Sequence, residues 1–349
     1  IMSDSRERST IVTLAKTLEA QKNLDLLCSR KPLEVTELYT PNEMYGTAKI
    51  LKDYAGLPRD RSLKVVVQHG PDMSDGTVWD VERDFTLPAV MVFSRNREQA
   101  YGTITRKKII RSASPYLYAL DMMKDQAPPE RKGTLFFHSH STETITVGAD
   151  FERQADDLAA LDERFQPVTV CVYWQDYLFG HHLPFAHRGL PVVSAGHIHD
   201  DAFIARLHHL LSCHEYAMSN VIGTFIQYSI ASGCRFHFYG LHWRDEFAHP
   251  EEYWKKNPSR LSPEYVDQLK KKFHWDGAVT GEEQRTWADY YLGREWFLSP
   301  EKLRRELLWA EWLDGTGVRI RNPGFRSHWI IPPLARRTYR KLKRLLPGT

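Results

Sequence analysis

Long apolar runs, paired cysteines and a large excess of either charge are all missing from this sequence of 349 residues. No apolar run approaches the roughly 20 residues that a membrane-spanning helix needs, so we expect no transmembrane segment. The four cysteines have no metal-ligand spacing and lie in apolar surroundings, which indicates reduced core residues. A net charge of +3 is too small to indicate a nucleic acid partner. The first residues lack a signal-peptide pattern, and we therefore expect a cytoplasmic protein.

The motifs of three enzyme classes are absent as well. No Gly-x-Gly-x-x-Gly sequence follows a predicted strand, which argues against a dinucleotide-dependent oxidoreductase. A Walker sequence is missing, and so is the Gly-x-Ser-x-Gly of a nucleophilic hydrolase. Candidate functional residues therefore have to be identified from the side chains that the predicted fold brings together.

Short apolar strands alternate with helical patterns, which is typical of parallel sheets covered by helices on both faces. The polar, Pro-rich segment 126–133 interrupts this alternation, and the pattern restarts after it. We therefore predict two Rossmann-like α/β domains with a cleft between them, residues 1–127 and 133–315, and a helical C-terminal extension that ends in a basic amphipathic tail, residues 316–349. The predicted strands cover 63–68, 89–94, 108–111, 134–137, 168–174, 191–195 and 235–239. The predicted helices include 42–54, 95–101, 150–164, 200–214, 263–273, 282–292 and one that begins at 299–300.

The ends of the predicted strands carry most of the candidate functional residues, because ligands of open α/β sheets bind beyond the carboxyl ends of the strands. In the second domain these ends offer hydroxyls, imidazoles and glycines but few carboxylates. This combination suits the phosphate of a nucleotide that is held with little help from a metal. The candidate binding residues are His138, Ser139, Ser141, Tyr173, Trp174, Gly196, His197, Ser219, Asn220, Gly223 and Thr224.

The segment 216–240 is the most informative of these strand ends. A strand runs into the turn 219–224, a short helix follows, and Gly233 ends that helix. Free backbone N–H groups at a helix start, together with the hydroxyls of the turn, predict a phosphate site. The alternative is that Ser219 or Asn220 only caps the helix.

Two histidine pairs allow a different interpretation. His138-x-His140 and His197-x-His199 both fall at strand ends, and such pairs are ligands in metal-dependent hydrolases. Two βα halves instead of eight regular βα units argue against that class, and the turn 219–224 would have no role in it. We therefore expect no metal and no other cofactor.

The order of the motifs points to a known family. The turn 219–224 precedes a helix with small residues at its end, and Phe-Tyr-Gly closes the next strand at 238–240. Supporting segments are 42–46, 67–71, 112–116 and 194–197. In this order the chain resembles the GT-B glycosyltransferases over about residues 35–240. More narrowly, it is similar to bacterial enzymes of surface polysaccharide, capsule and lipopolysaccharide biosynthesis.

The resemblance implies a nucleotide-sugar donor on the second domain and a glycan or lipid-linked acceptor on the first. Retaining members hold the donor with two glutamates seven residues apart, whereas Glu215 has no second acid after it in the corresponding stretch. This departure favours an inverting mechanism. Members that use CMP-linked ulosonic acids have a His-Pro strand end, where this sequence has Gly196-His197. The resemblance thus leaves two donor classes open, a CMP-linked ulosonic acid and a UDP- or GDP-hexose. A nucleotide- or glycan-binding protein without catalysis is the alternative.

An inverting transferase needs a general base for the acceptor hydroxyl and stabilisation of the departing phosphate. His69 ends a central strand of the first domain, and an imidazole with an intrinsic pKa of about 6.5 suits work at neutral pH. Asp72, Asp80 and Glu82, in the predicted loop after it, are its rivals. The candidate catalytic residues are thus His69, Asp72 and Glu82, unless His69 only caps the loop.

Residues 319–349 are rich in Lys and Arg, lack acidic residues and carry interleaved apolar side chains such as Trp329 and Leu342. A basic helix with an apolar face suits an anionic membrane surface. We therefore expect peripheral association with the inner face of the cytoplasmic membrane, where lipid-linked acceptors lie. The alternative is a terminal helix that docks on the body of the protein.

Overall fold

The computed structural model describes residues 14–32, 35–74, 78–141, 147–240, 263–275 and 281–315. Within this part of the chain, no helix combines the length and the apolar composition that crossing a bilayer requires. The predicted basic tail from residue 319 onwards lies outside the described residues.

Eight strands form two sheets in the described chain, and every strand pair is parallel. The strands are β1 (Val65–Val67), β2 (Ala89–Val92), β3 (Lys108–Arg111), β4 (Thr134–Phe137), β5 (Val168–Cys171), β6 (Val192–Val193), β7 (Tyr216–Ser219) and β8 (Arg235–Phe238). The first sheet has the order β1-β2-β3, and the second has the order β6-β5-β4-β7-β8. After β4 the chain adds β5 and β6 on one side of it, and then β7 and β8 on the other side. A topological switch point therefore lies between β4 and β7.

Both faces of each sheet are buried. In β4, Leu135 belongs to one hydrophobic core and Phe136 to a second. In β1, Val65 belongs to the same core as Leu135, and Val66 belongs to a third core. Successive side chains of a strand point to opposite faces, so continuous apolar runs of this kind form strands that are covered on both sides. Leu135 and Val65 share one core, which therefore joins the facing sides of the two sheets.

Helices connect the strands, and several begin where the sequence predicts. Asp150 accepts the N–H of Arg153 (3.0 Å) as a helix cap, and Ser299 accepts the N–H of Lys302 (3.3 Å) just before a proline at the first helical position. The α-helices of the described chain are α1 (Leu14–Gln21), α2 (Leu24–Leu27), α3 (Thr47–Ala55), α4 (Asp80–Asp84), α5 (Arg95–Ile104), α6 (Pro115–Met123), α7 (Phe151–Ala159), α8 (Trp174–Leu178), α9 (Leu183–His187), α10 (Phe203–Ser212), α11 (Phe225–Ala231), α12 (Pro263–Lys272), α13 (Gly281–Leu292) and α14 (Pro300–Gly315). Short 3-10 helices cover Thr40–Gly46, Glu163–Phe165 and Arg294–Trp296.

The first and last helices of the described chain each pack on the sheet that is distant in sequence. Helix α1 contacts α10, and Gln21 donates its side-chain N–H to the carbonyl oxygen of Ser194 (2.9 Å). Helix α14 contacts α3 and β1, and Arg61 pairs with Glu311 at 2.9 Å. Although α14 falls within the predicted range 133–315, it packs against the first sheet.

The predicted α/β class with two Rossmann-like parallel sheets is confirmed, and helices follow the second sheet. All eight predicted strands occur, including the one that runs into the turn 219–224, because their β-branched and aromatic residues mark buried strands. Two segments differ from their predictions: α4 occupies part of the expected loop after His69, and the strand predicted for 168–174 ends at Cys171, before α8 begins at Trp174. The domain boundaries at 127, 133 and 315 stay predictions.

Candidate functional site

A cavity of about 160 Å³ lies between the two sheets. Strands β1 to β6 each contribute residues at or just beyond their carboxyl ends to its lining, and the segment after β7 contributes Thr224 and the first turns of α11. This is the place where open α/β sheets bind their ligands. Four of the predicted site residues line the cavity: His69, His138, Tyr173 and Thr224. Ten others lie outside its lining: Asp72, Glu82, Ser139, Ser141, Trp174, Gly196, His197, Ser219, Asn220 and Gly223.

His138 follows β4 at the switch point and is only 4% exposed. Its Nδ1 hydrogen-bonds the carbonyl oxygen of Ser139, and because a carbonyl only accepts, Nδ1 must carry the proton. Nε2 is then an acceptor, and it has no hydrogen-bond partner among the described residues. Burial lowers the pKa of His138 and so favours the neutral ring. His138 therefore presents an unused acceptor, not a donor for phosphate.

Asp176, which the sequence did not indicate, holds the loop after β4. Both of its carboxylate oxygens accept the N–H of Ser141 at 3.1 Å, and Oδ1 lies 2.9 Å from Nδ1 of His181. The hydroxyl of Ser141 accepts the N–H of Val147 (3.2 Å) and is thus used within the loop. The hydroxyl of Ser139 is buried without a partner in the described part of the chain.

Tyr173 and Trp174 follow β5 and face different surroundings. Tyr173 lines the cavity, its ring lies 4.8 Å from that of His140, and its hydroxyl bonds that of Tyr45. Trp174 is buried, with its ring 4.2 Å from the His197 ring. Tyr173 is therefore placed to contact a ligand, while Trp174 packs behind it.

Gly196 and His197 shape the loop after β6. Gly196 has a φ of 97°, and a Cβ there would lie 2.8 Å from Nη1 of Arg206, so both backbone and packing require glycine. His197 Nδ1 accepts the N–H of His199 at 3.1 Å, which leaves the ring to stabilise its own loop. Burial lowers the pKa of His197 to about 4, so this ring is neutral at pH 7.

The metal-site interpretation requires the four histidines 138, 140, 197 and 199 to converge. In the described residues, no group of three or more His, Cys, Asp or Glu side chains is arranged to hold a metal ion. One ring nitrogen of His138 and one of His197 are already committed to backbone groups. Nearby Asp200 bonds Lys31 at 2.6 Å and Arg206 at 3.3 Å.

The turn 219–224 combines local hydrogen bonds with one cavity residue. Ser219 accepts the N–H of Val221 (3.1 Å) and Asn220 is buried, while a Cβ on Gly223 would collide with the Phe225 ring. Thr224 reaches the cavity at the start of α11, a helix of seven residues. The turn thus faces the cleft chiefly through Thr224.

His69 lines the cavity from the first sheet, and Glu82 fixes its backbone. Glu82 is 1% exposed; its Oε1 accepts the N–H of His69 at 2.8 Å and its Oε2 accepts the hydroxyl of Tyr101. The His69 ring lies 5.7 Å from the Trp79 ring and 6.1 Å from the Tyr45 ring. Glu82 acts from behind the lining, as a support for the loop that carries His69.

The two aspartates of the same segment lie outside the lining of the cavity. Asp72 accepts the N–H of Ser74 (2.8 Å) and lies 3.4 Å from Nη1 of the fully buried Arg97. Asp80 is largely exposed at the start of α4 and pairs with Arg83 at 2.9 Å. Of the predicted acid–base candidates, His69 alone belongs to the lining of the described cavity.

Tyr45 and Tyr228 line the cavity and were not among the predicted site residues. Tyr45 adopts a left-handed conformation (φ 60°), and its N–H donates to the carbonyl oxygen of Ile198 at 2.6 Å. Tyr228 stacks on Tyr116 at 4.1 Å, and its hydroxyl bonds that of Ser114. Tyr45 lies in segment 42–46, one of the segments that support the family resemblance. The local sequence pattern of this segment does not reveal that Tyr45 contacts the second half of the chain.

Comparisons with known proteins give only distant matches. No protein-family model matches the chain, and no curated protein does. Among solved structures, the pneumococcal O-GlcNAc transferase GtfA in complex with UDP and GlcNAc is similar with a TM-score of 0.34 and 15% identity, over 76% of this chain and 54% of that one. A GtfA/B complex gives a TM-score of 0.33 and 9% identity, over 77% and 55% of the two chains. This chain therefore spans about half the length of these structures, and at such values the functional argument rests on the cleft itself.

Proposed function

We propose that this protein is a glycosyltransferase that moves a sugar from a nucleotide-sugar donor to a glycan or lipid-linked acceptor. The observation that carries the proposal is the cavity between the carboxyl ends of two parallel sheets, at the switch point of the second sheet. Two sheets bring two independent sets of loops to one space, which suits a reaction between two substrates. The hydroxyls and imidazoles of its lining suit the hydroxyl groups of sugars.

In this proposal His69 takes the proton of the acceptor hydroxyl, and the reaction inverts the anomeric centre without a metal or other cofactor. The role is supported by the position of His69 in the lining on the first sheet and by the hydrogen bond that its backbone N–H donates to Glu82. The leaving phosphate lies beside Thr224 and the turn 219–224 on the opposite wall. This placement is supported by the position of Thr224 in the lining, directly before α11.

The proposal extends to the biological setting. The donor is a CMP-linked ulosonic acid or a UDP- or GDP-hexose, and the acceptor belongs to bacterial surface polysaccharide, capsule or lipopolysaccharide synthesis. The enzyme works in the cytoplasm at the inner face of the membrane, which it contacts through residues 319–349. The support for this setting is the basic and apolar composition of that segment.

The direct test is a panel of UDP-, GDP- and CMP-sugars, with release of free nucleotide measured with and without glycan acceptors. We expect one nucleotide class to be turned over. With that donor, His69→Ala lowers kcat by a factor of about 10² or more, the usual contribution of a general base. His187→Ala on the exposed surface of α9 is the matched control and retains the wild-type rate.

Two other results would replace the proposal. Tight nucleotide-sugar binding without turnover would identify a binding protein on the same scaffold. Hydrolysis that depends on a stoichiometric metal and is lost in both His138→Ala and His197→Ala would identify the metal-dependent hydrolase.

A further inference from the structure

An exposed indole ring lies beside the candidate general base. Trp79 is 44% exposed, and its ring lies 5.7 Å from the ring of His69. The preceding residue, Val78, is buried in a hydrophobic core, so the chain buries the smaller apolar side chain at this point and exposes the larger one. Single exposed apolar side chains are common and need no explanation. Trp79 differs from them because it contacts a ring that lines the cavity.

Glu82 anchors the backbones of both ring-bearing residues. Its N–H donates to the carbonyl oxygen of Trp79 at 2.9 Å, and its Oε1 accepts the N–H of His69 at 2.8 Å. The His69 ring also lies 6.1 Å from the ring of Tyr45, which belongs to the cavity lining. A series of aromatic rings therefore leads from the cavity through His69 to the exposed surface at Trp79.

The cavity is too small to enclose two substrates. Its volume is about 160 Å³, whereas sites that enclose one drug-sized ligand measure about 300–1,000 Å³. In a transfer reaction, part of the acceptor therefore has to lie outside the lining. An acceptor whose hydroxyl reaches His69 extends past that ring to the surface, and Trp79 is the exposed ring beside it.

The indole ring suits a sugar better than it suits other acceptors. One face of a pyranose ring carries several C–H groups, whereas its hydroxyls project mainly from its edge. The C–H groups pack on the electron-rich face of an aromatic ring, and the hydroxyls remain available to polar groups. A sugar packed on the exposed part of Trp79 thus has its edge next to the imidazole of His69, one ring away.

We propose that Trp79 forms an acceptor subsite, in which the terminal sugar of a glycan packs on the exposed indole and presents a hydroxyl to His69. The inference rests on the proposed function and deepens it, because it selects an acceptor with a terminal sugar over a bare lipid phosphate or a protein side chain. Glu82 then holds this subsite in register with the base.

Acceptor kinetics with the donor that the panel identifies test this subsite. Trp79→Ala should raise KM for the glycan acceptor by a factor of about 10, as loss of a central aromatic contact does, and KM for the donor by less than a factor of about 2. Trp79→Tyr keeps an aromatic face and should retain most of the acceptor affinity. Trp312→Ala removes an indole that is 57% exposed on α14, and as the control it should leave both KM values unchanged.

Three kinetic results would overturn the inference. The first is an unchanged acceptor KM in Trp79→Ala, and the second is a Trp79→Tyr variant that loses as much acceptor affinity as Trp79→Ala. The third is an equal rise of the donor and acceptor KM values, which would show that the ring only supports the loop of His69. All three leave the glycosyltransferase proposal intact, because donor turnover carries it.

A binding measurement separates the two proposals. In protein labelled with 5-fluorotryptophan, the fluorine NMR signal that Trp79→Tyr lacks belongs to Trp79, and the signal of Trp312 is assigned in the same way. The probes are the glycan that accepts in the transfer assay or, where none does, methyl glycosides of glucose, galactose, mannose and N-acetylglucosamine. We expect them to shift the Trp79 signal and not that of Trp312. A shift without turnover of any donor would support the subsite and contradict the proposed function, whereas transfer to a glycan that does not shift the signal would overturn the subsite alone.

Discussion

Gly70 lies against Thr224 across the cleft: a Cβ on Gly70 would lie 2.8 Å from Cγ2 of Thr224. Gly70 belongs to the loop after β1 and Thr224 to the segment after β7, so this approach brings the two sheets together at the lining of the cavity. The backbone of Gly70 has a φ of 69°, which also favours glycine. The width of the cleft therefore depends on this pair.

Gly70→Ala should destabilise the protein by about 1–2 kcal/mol and lower kcat/KM by a factor of about 10, because the new methyl group must push the two loops apart. Unfolding by urea and donor turnover are the measurements. Gly189→Ala is the matched control, since Gly189 has a φ of 74° and a Cβ added there would meet no atom within 4 Å.

The double variant Gly70→Ala/Thr224→Ser separates the collision from the backbone strain, because serine lacks Cγ2. Turnover should return towards the wild-type value in the double variant. Two results would show that this contact does not determine the width of the cleft. One is equal stability and turnover of Gly70→Ala and Gly189→Ala, and the other is a double variant whose turnover stays as low as that of Gly70→Ala.

Glu82→Gln should lower the free energy of unfolding by about 1–3 kcal/mol, because the amide leaves one of two buried donors, the His69 N–H and the Tyr101 hydroxyl, without an acceptor. Turnover should fall as well, since the His69 backbone loses its anchor. Glu98→Gln, which breaks a partly exposed pair with Arg111, is the control and should cost less than about 1 kcal/mol. Equal stability of the two variants would refute the anchoring role of Glu82.

Stability should decrease as the pH falls from about 6.5 towards 4. Burial lowers the pKa of His197, His208 and His237 to about 4 each, whereas an unfolded histidine titrates near about 6.5. Between these values the unfolded chain binds protons that the folded chain does not, so acid favours unfolding.

His237→Gln should reduce the slope of unfolding free energy against pH by about 1 kcal/mol per pH unit in this window. Urea titrations between pH 7 and 4.5 measure that slope, with His187→Gln on the exposed surface as the control. An unchanged slope in His237→Gln would show that this ring does not oppose protonation.

Removal of residues 319–349 should weaken binding to vesicles with anionic lipids at low salt more than it lowers activity on a soluble acceptor. The deletion removes basic side chains without acidic neighbours, so the loss should shrink as salt screens the attraction. Vesicle co-sedimentation measures it, with neutral phosphatidylcholine vesicles as the control. An equal loss of vesicle binding and soluble activity would indicate a folding role.

Much of the fold follows from local patterns, but the cavity does not. Residues such as Val65 and Leu135 lie in short apolar runs that mark strands, and the strand ends led to His69, His138 and Thr224. Tyr45 was not predicted, because its position in the cavity lining depends on a backbone hydrogen bond to Ile198, which is distant in sequence. Local sequence also cannot show that Glu82 turns inward to hold His69, since burial arises only when α4 packs.

The measurement that tests the central claim most directly compares nucleotide release from the donor panel by the wild type, Thr224→Arg and His187→Arg. Thr224→Arg places a long charged side chain at the wall of the cavity, whereas His187→Arg adds the same group on an exposed helix. We predict turnover of one donor class by the wild type and by His187→Arg, and a loss of about 10-fold or more in Thr224→Arg. Full turnover in Thr224→Arg, or no turnover of any donor by the wild type, would contradict the proposed function.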